Sequence, residues 1–106
     1  MKKQKFLNAL LPTVLLLSVT GTTLAADGAA LYTAKGCAGC HGADAKSPIM
    51  PLYPKIAGQG KEYTTQQMKD IKSGKRSNGQ TAAMKGIMAA VSEDEIKSLS
   101  EYLSSL

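Results

Sequence analysis

Five consecutive residues, Cys37-Ala38-Gly39-Cys40-His41, hold both cysteines and the only histidine of this 106-residue chain. A chain this short makes one small domain. A domain of that size buries too little apolar surface to be stable without help, and a disulfide, a metal or a large apolar group is the usual staple. One Phe, four Tyr and no Trp make the shortage worse. Every thiol and imidazole able to attach a staple sits in this one run. Whatever holds the fold together is therefore expected there.

The first 25 residues are set apart from the fold. Met1-Lys2-Lys3-Gln4-Lys5 is a short basic start, and Phe6 to Thr20 is mostly apolar. Small residues then lead to Thr23-Leu24-Ala25-Ala26. This three-part pattern predicts a secretory signal peptide over 1–25, cleaved after Ala25, with Ala26 as the other cleavage position. A membrane-spanning helix needs about 20 apolar residues, and here that length is reached only by including Asn8, Pro12 and Gly21-Thr22-Thr23. No stable membrane insertion is expected after cleavage, and the mature domain is 26–106. Loss of Lys2, Lys3 and Lys5 takes the formal charge from +5 to +2, with ten basic residues against eight acidic. No concentrated basic patch survives of the kind nucleic acid requires, and export argues the same way, so no nucleic-acid partner is expected.

Three helical segments are legible in the remainder, and no stretch alternates as a strand does. The first runs from about Gly28 to Lys35, with Asp27 as N-cap and Gly36 as its stop. The second runs from Lys61 to Ser73, where Tyr63, Thr64, Gln67, Met68 and Ile71 fall on one face and Gly74 follows as a C-terminal cap. The third starts at Ser92, which forms a capping box with Glu95 and carries Val91 and Ile96 as a hydrophobic staple. Glu93, Asp94 and Glu95 suit the positive end of its dipole. Ile96, Leu99, Tyr102, Leu103 and Leu106 make its apolar stripe. The connecting segments, Gly42 to Gly60 with Pro48, Pro51 and Pro54, and the polar stretch Arg76 to Gly86, read as long irregular loops. Two such loops in one small domain make sense when they wrap a large flat apolar object.

Cys-x-x-Cys-His has a chemistry that suits such an object: it is the attachment signature of haem c. Two thiols add across the two vinyl groups of haem as thioethers. The two residues between them set the reach, and the histidine that follows is placed to ligate the iron. Other readings of Cys-x-x-Cys fail on count or context. Structural zinc takes four ligands, and the chain has three Cys and His residues in all. A thioredoxin-like dithiol belongs to a βαβ unit, and no strand is legible. A plain disulfide has no need of the adjacent histidine.

The chain resembles the class I c-type cytochromes, above all the small bacterial monohaem cytochromes and the single domains of the diheme ones. The matching blocks cover the whole mature chain. They are Leu31-Tyr32, then Gly36-Cys37-Ala38-Gly39-Cys40-His41-Gly42, Tyr53-Pro54-Lys55-Ile56-Ala57-Gly58-Gln59 and Gln67-Met68-Lys69-Asp70-Ile71-Lys72-Ser73-Gly74. Met84-Lys85-Gly86-Ile87-Met88 and Val91-Ser92-Glu93-Asp94-Glu95-Ile96, leading to Tyr102, complete them. The resemblance implies an all-α fold of about three to five helices and long loops around one covalent haem. It implies that the terminal helices cross, Leu31 and Tyr32 meeting Leu99, Tyr102 and Leu103. It implies that Cys37, Cys40 and His41 hold the haem, and that the Pro54 carbonyl accepts a hydrogen bond from the His41 ring. Arg76 and Asn78 fall on a loop that passes the haem edge, within reach of a propionate.

The second iron ligand is not readable from periodicity. Met84 and Met88 are four residues apart and would share a helix face. The resemblance places the ligand on the loop ahead of the last helix, which is Met84, and leaves Met88 in the core. A His–Met iron has no open position for substrate, so the resemblance implies a periplasmic one-electron carrier, not an enzyme, with redox proteins as donor and acceptor. Lys46, Lys55, Lys61 and Lys85 are candidates to ring a docking face for an acidic partner. The other readings are a haem c subunit of a larger periplasmic dehydrogenase or oxidase complex, and a peroxidase-like or ligand-binding haem protein with an open distal side.

Overall fold

A computed structural model describes residues 27–106; the signal peptide and its cleavage position lie outside the described residues. The described residues form five helices and no strand: α1 Gly28–Ala34, α2 Ala38–His41, α3 Lys61–Ser73, α4 Thr81–Met88 and α5 Glu93–Ser104. None is long and apolar enough to cross a membrane.

α5 forms as its sequence requires. Ser92 Oγ accepts from the Glu95 amide at 3.2 Å, and the Glu95 carboxylate accepts from the Ser92 amide at 2.9 Å. Val91 and Ile96 are both fully buried across this cap. Ile96, Leu99 and Leu103 form the buried stripe, each contributing about 1.5–3 kcal/mol by burial. Leu106, expected on the same stripe, lies past the helix end and is 38% exposed. Lys35, closing α1, reaches across to Glu95 at 3.3 Å and to the Ala90 carbonyl at 2.8 Å.

The Glu95 carboxyl is held below the usual carboxylate range, first by the Ser92 amide and then by Lys35. A carboxylate favoured by the fold stabilises it above the unfolded carboxylate pKa and ceases to as pH falls through the folded value. Glu95→Gln keeps a hydrogen-bonding cap but cannot ionise. It is expected to flatten the acid limb of stability, read as Tm against pH below neutrality.

The terminal helices cross through Gly28. A Cβ there would run into the Ser98 carbonyl and the Tyr102 Cβ of α5, so only glycine lets the backbones approach this closely. One turn on, the Tyr32 and Tyr102 rings meet at 5.8 Å between centroids, tilted by 54°, a favourable aromatic geometry. Leu31 and Tyr32 are buried against this crossing, as expected. Gly28→Ala is expected to cost about 1–3 kcal/mol by overpacking, measurable by denaturant unfolding of the holoprotein.

Two elements depart from the sequence reading. α2 is a single helical turn across the Cys-x-x-Cys-His run, where no helix is expected. α4 occupies much of the stretch expected to be irregular, so Met84 sits on a helix and not on a loop. No side chain caps α4, and it contains Gly86, a poor helix former, which is why it is illegible locally; packing against α3 supplies what the sequence lacks.

Candidate functional site

α2 is a local consequence of hydrogen bonding. The His41 amide donates to the Cys37 carbonyl at 3.0 Å, and the Gly42 amide to the Ala38 carbonyl at 3.1 Å. One helical turn puts residues at i, i+3 and i+4 on the same side. Cys37, Cys40 and His41 have that spacing, and all three line the same cavity. Gly42 ends the turn at φ +87°, where a Cβ would strike the Ser47 backbone; glycine is required on both counts. Tyr32 clamps this corner from α1, its hydroxyl donating to the Gly42 carbonyl at 2.5 Å. Burial pushes that phenol up to about 12, with the Cys37 sulfur adding to the shift.

The His41 ring is buried, and its Nδ1 lies 2.8 Å from the Pro54 carbonyl oxygen. A carbonyl only accepts, so Nδ1 carries the proton and Nε2 is the nitrogen left to bind a metal. A bond of this kind fixes the ring and strengthens it as a donor. The proline loop that brings Pro54 here is pinned by Ala45. Ala45 is fully buried, and its carbonyl accepts from the Ile56 and Ala57 amides at 2.9 and 3.2 Å. Its φ of +58° is unusual for alanine, and nothing in the sequence marks it.

The cavity has a volume of about 400 Å³, room for a whole cofactor. α2, the proline loop from Leu52 to Gln59 and the Arg76–Gln80 loop form part of its lining, and α3, α4 and α5 supply most of the apolar remainder. Met68, Ile71, Met88, Leu99 and Leu103 line it, half of the ten buried apolar core residues. Met84 lines it too, half-buried beside the core. Met50 does not, and is 46% exposed. Arg76 and Asn78 are at its lining as well, with Arg76 Nη1 donating to Gln67 Oε1 at 3.1 Å.

This donor set fits a covalent haem. Both thiols are free, and burial, with Cys40 as a further cause, raises the Cys37 thiol. The walls are chiefly apolar, as a porphyrin requires. No three His, Cys, Asp or Glu residues cluster to hold a bare metal ion among the described residues. Of the lysines considered for docking, Lys46, Lys55 and Lys85 are exposed, while Lys61 is committed to Glu101 at 3.1 Å. Leu52 and Tyr63, exposed by 63% and 58%, mark where the cavity opens. The helical spacing places Tyr63 with the apolar face of α3, but its position at the cavity mouth leaves it in solvent.

Comparison with known proteins bears on the fold and the family. Residues 25–106 match the cytochrome c family model. The chain is 42% identical over 102 residues to cytochrome c4 of Pseudomonas aeruginosa, covering 93% of this chain and 49% of that protein. It is 35% identical over 83 residues to cytochrome c-553 of Nitratidesulfovibrio vulgaris, covering 78% and 79%. The crystal structure of reduced recombinant cytochrome c4 from Pseudomonas stutzeri superposes with a TM-score of 0.68 at 34% identity, over 79% of this chain and 48% of that one. The chain thus spans about half the length of the cytochrome c4 proteins it matches.

Proposed function

This chain belongs to the cytochrome c family, whose cofactor is covalent haem c, and we propose that it is a periplasmic carrier of single electrons. The observation that carries the reading is the convergence of both free thiols and the Pro54-oriented His41 on one apolar cavity. Cys37 and Cys40 hold the haem as thioethers, and His41 Nε2 ligates its iron. Met84 supplies the second ligand. The haem supplies a one-electron couple at its iron. The protein's own part is to hold the His41 ring by Pro54 and to keep water from both ligands with the core side chains of α3, α4 and α5. A thioether ligand favours the reduced iron and raises the potential. With His41 and Met84 both committed to the iron, no position on it would be left for substrate, and the protein is not an enzyme. Its donor and acceptor are redox proteins.

The test is spectroelectrochemical titration of the exported protein. A reversible one-electron couple, with no carbon monoxide binding by the reduced form at neutral pH, is expected. Ready carbon monoxide binding would show an open iron and overturn the carrier reading. The same sample settles processing: its mass is expected to lack residues 1–25, and a mass that includes them would mean an uncleaved anchor.

The exposed apolar residues Ile49, Met50, Leu52 and Tyr63 favour a second reading, a haem c subunit of a larger periplasmic dehydrogenase or oxidase complex. Size measurement of the native protein in periplasmic extract separates the two: a mass far above that of one mature chain, 26–106 with its haem, favours the subunit.

A further inference from the structure

α4 carries both candidate thioether ligands, Met84 and Met88, yet little in its own sequence holds it in place. It is eight residues long, no side chain caps it, and it contains Gly86. A helix this short is not stable alone. It has to be fastened from outside, above all at the end that runs into α5.

The fastening lies in the turn from Ala89 to Ser92. The Ala89, Ala90 and Val91 amides donate back to the Lys85, Ile87 and Met88 carbonyls at 3.0, 3.2 and 3.0 Å, which closes the last turn of α4. The next two carbonyls, Ala90 and Val91, accept from no backbone amide among the described residues. Each accepts from a lysine ammonium of a different helix. Lys35, closing α1, donates to the Ala90 carbonyl at 2.8 Å. Lys72, in the last turn of α3, donates to the Val91 carbonyl. The two lysines are not equivalent. Lys35 also pairs with Glu95 at 3.3 Å, so part of its hold is on α5. Lys72 is half-buried and has no carboxylate within ion-pair distance among the described residues. Lys69, one turn back on α3, is the opposite: exposed, and paired with Glu93 at 3.4 Å. A half-buried ammonium given to a carbonyl just past the negative end of a helix dipole acts on that helix end.

We propose that Lys72 latches the distal ligand: by holding the Val91 carbonyl it keeps α4, and the methionine on it, closed over the iron. This rests on the proposed methionine ligation, and it holds for Met84 or Met88, since both ride on α4. Lys72 does not line the cavity, so it is a positioning residue that acts through the helix. Its effect is to keep small ligands off the iron. Such a ligand binds only when α4 opens, and its apparent affinity rises in proportion to the open fraction. One hydrogen bond to a charged group is worth about a factor of ten or more in that fraction.

The experiment titrates the oxidised holoprotein with imidazole, which takes the place of the thioether on the iron and removes the sulfur–iron charge-transfer band. Lys72→Met keeps the apolar stem and removes the ammonium. It is expected to bind imidazole about tenfold more tightly than the wild type. Lys69→Met takes the same charge from the same helix and is expected to leave imidazole affinity unchanged. An unchanged affinity in Lys72→Met overturns the proposal, whatever happens to its unfolding midpoint. So does an equal rise in Lys69→Met, which would make the effect one of net charge. Should Lys72→Met not accumulate, Lys72→Gln, neutral and one atom shorter, gives the same comparison. Oxidised wild-type protein with no sulfur–iron band is a distinct result. It overturns the methionine ligation in the proposed function, and this inference with it, and is read before any variant is made.

Discussion

Periplasm from cells expressing the Cys37→Ala, Cys40→Ala double variant is expected to contain almost no stable haem-stained protein of this size, against a strong band for the wild type. The reason lies in how the core is divided. Half of the ten buried apolar residues, Met68, Ile71, Met88, Leu99 and Leu103, face the cavity. Without its occupant those side chains lose their partners on one side. Cavities cost about 24 cal/mol for each Å³. For a cavity of about 400 Å³ that is on the order of 10 kcal/mol, a figure comparable with the whole stability of an ordinary domain, about 5–15 kcal/mol. The polypeptide alone then has little or no net stability, and the covalent bonds keep the cofactor from dissociating as the chain breathes. A single substitution leaves one thioether and His41, so an intermediate yield is expected from either alone. Wild-type amounts of stable haem protein from the double variant would mean that iron coordination and packing suffice, and that the thioethers are not structural.

What was legible beforehand follows the range of the forces involved. α5 was readable because its start is written in adjacent residues: Ser92 with Glu95, Val91 with Ile96, and three acids in the first turn. α3 was readable to the residue because Lys61 to Ser73 is uninterrupted and Gly74 closes it in the left-handed conformation. The thiol and imidazole cluster was readable because its chemistry lies within five residues. Features set across the chain were not. Gly28 looked like an ordinary helix start, and its need to be glycine comes from α5, 70 residues away. Ala45 carries no signal for a left-handed backbone; the amides of Ile56 and Ala57 hold it there. α4 lacks a capping side chain and contains Gly86, so its helicity depends on α3. Tyr63 shares the apolar spacing of α3, but it falls where the cavity meets solvent. Thr64 shares that spacing too, and the burial of its hydroxyl without a partner exists only in three dimensions.

Of the alanine variants at the two α4 methionines, Met84→Ala is expected to abolish the sulfur–iron charge-transfer band and lower the potential. Met88→Ala is expected to keep the band and cost about 2–5 kcal/mol in stability. The mature chain has four methionines, Met50, Met68, Met84 and Met88. Met50 is away from the cavity and exposed. Met68 is buried on α3 within the core stripe. Helical geometry puts Met84 and Met88 one turn apart on the same face of α4, and both line the cavity, so position on the helix does not choose between them. Burial separates their surroundings. Met88 is 1% exposed and belongs to the core cluster, and its carbonyl accepts from the Val91 amide in the turn into α5. Its truncation leaves a hole among packed neighbours. Met84 is half-buried at the margin of that cluster, with fewer packing demands on its thioether, and it is the position to which the family resemblance assigns the ligand. The two expected results are opposite in kind: a spectral and redox change with modest loss of stability for Met84, and a stability loss with the spectrum kept for Met88. Denaturant unfolding and the visible spectrum of each oxidised variant measure both. Loss of the band in Met88→Ala alone would move the ligand one turn along α4, and its persistence in both variants would place the second ligand elsewhere on the cavity wall.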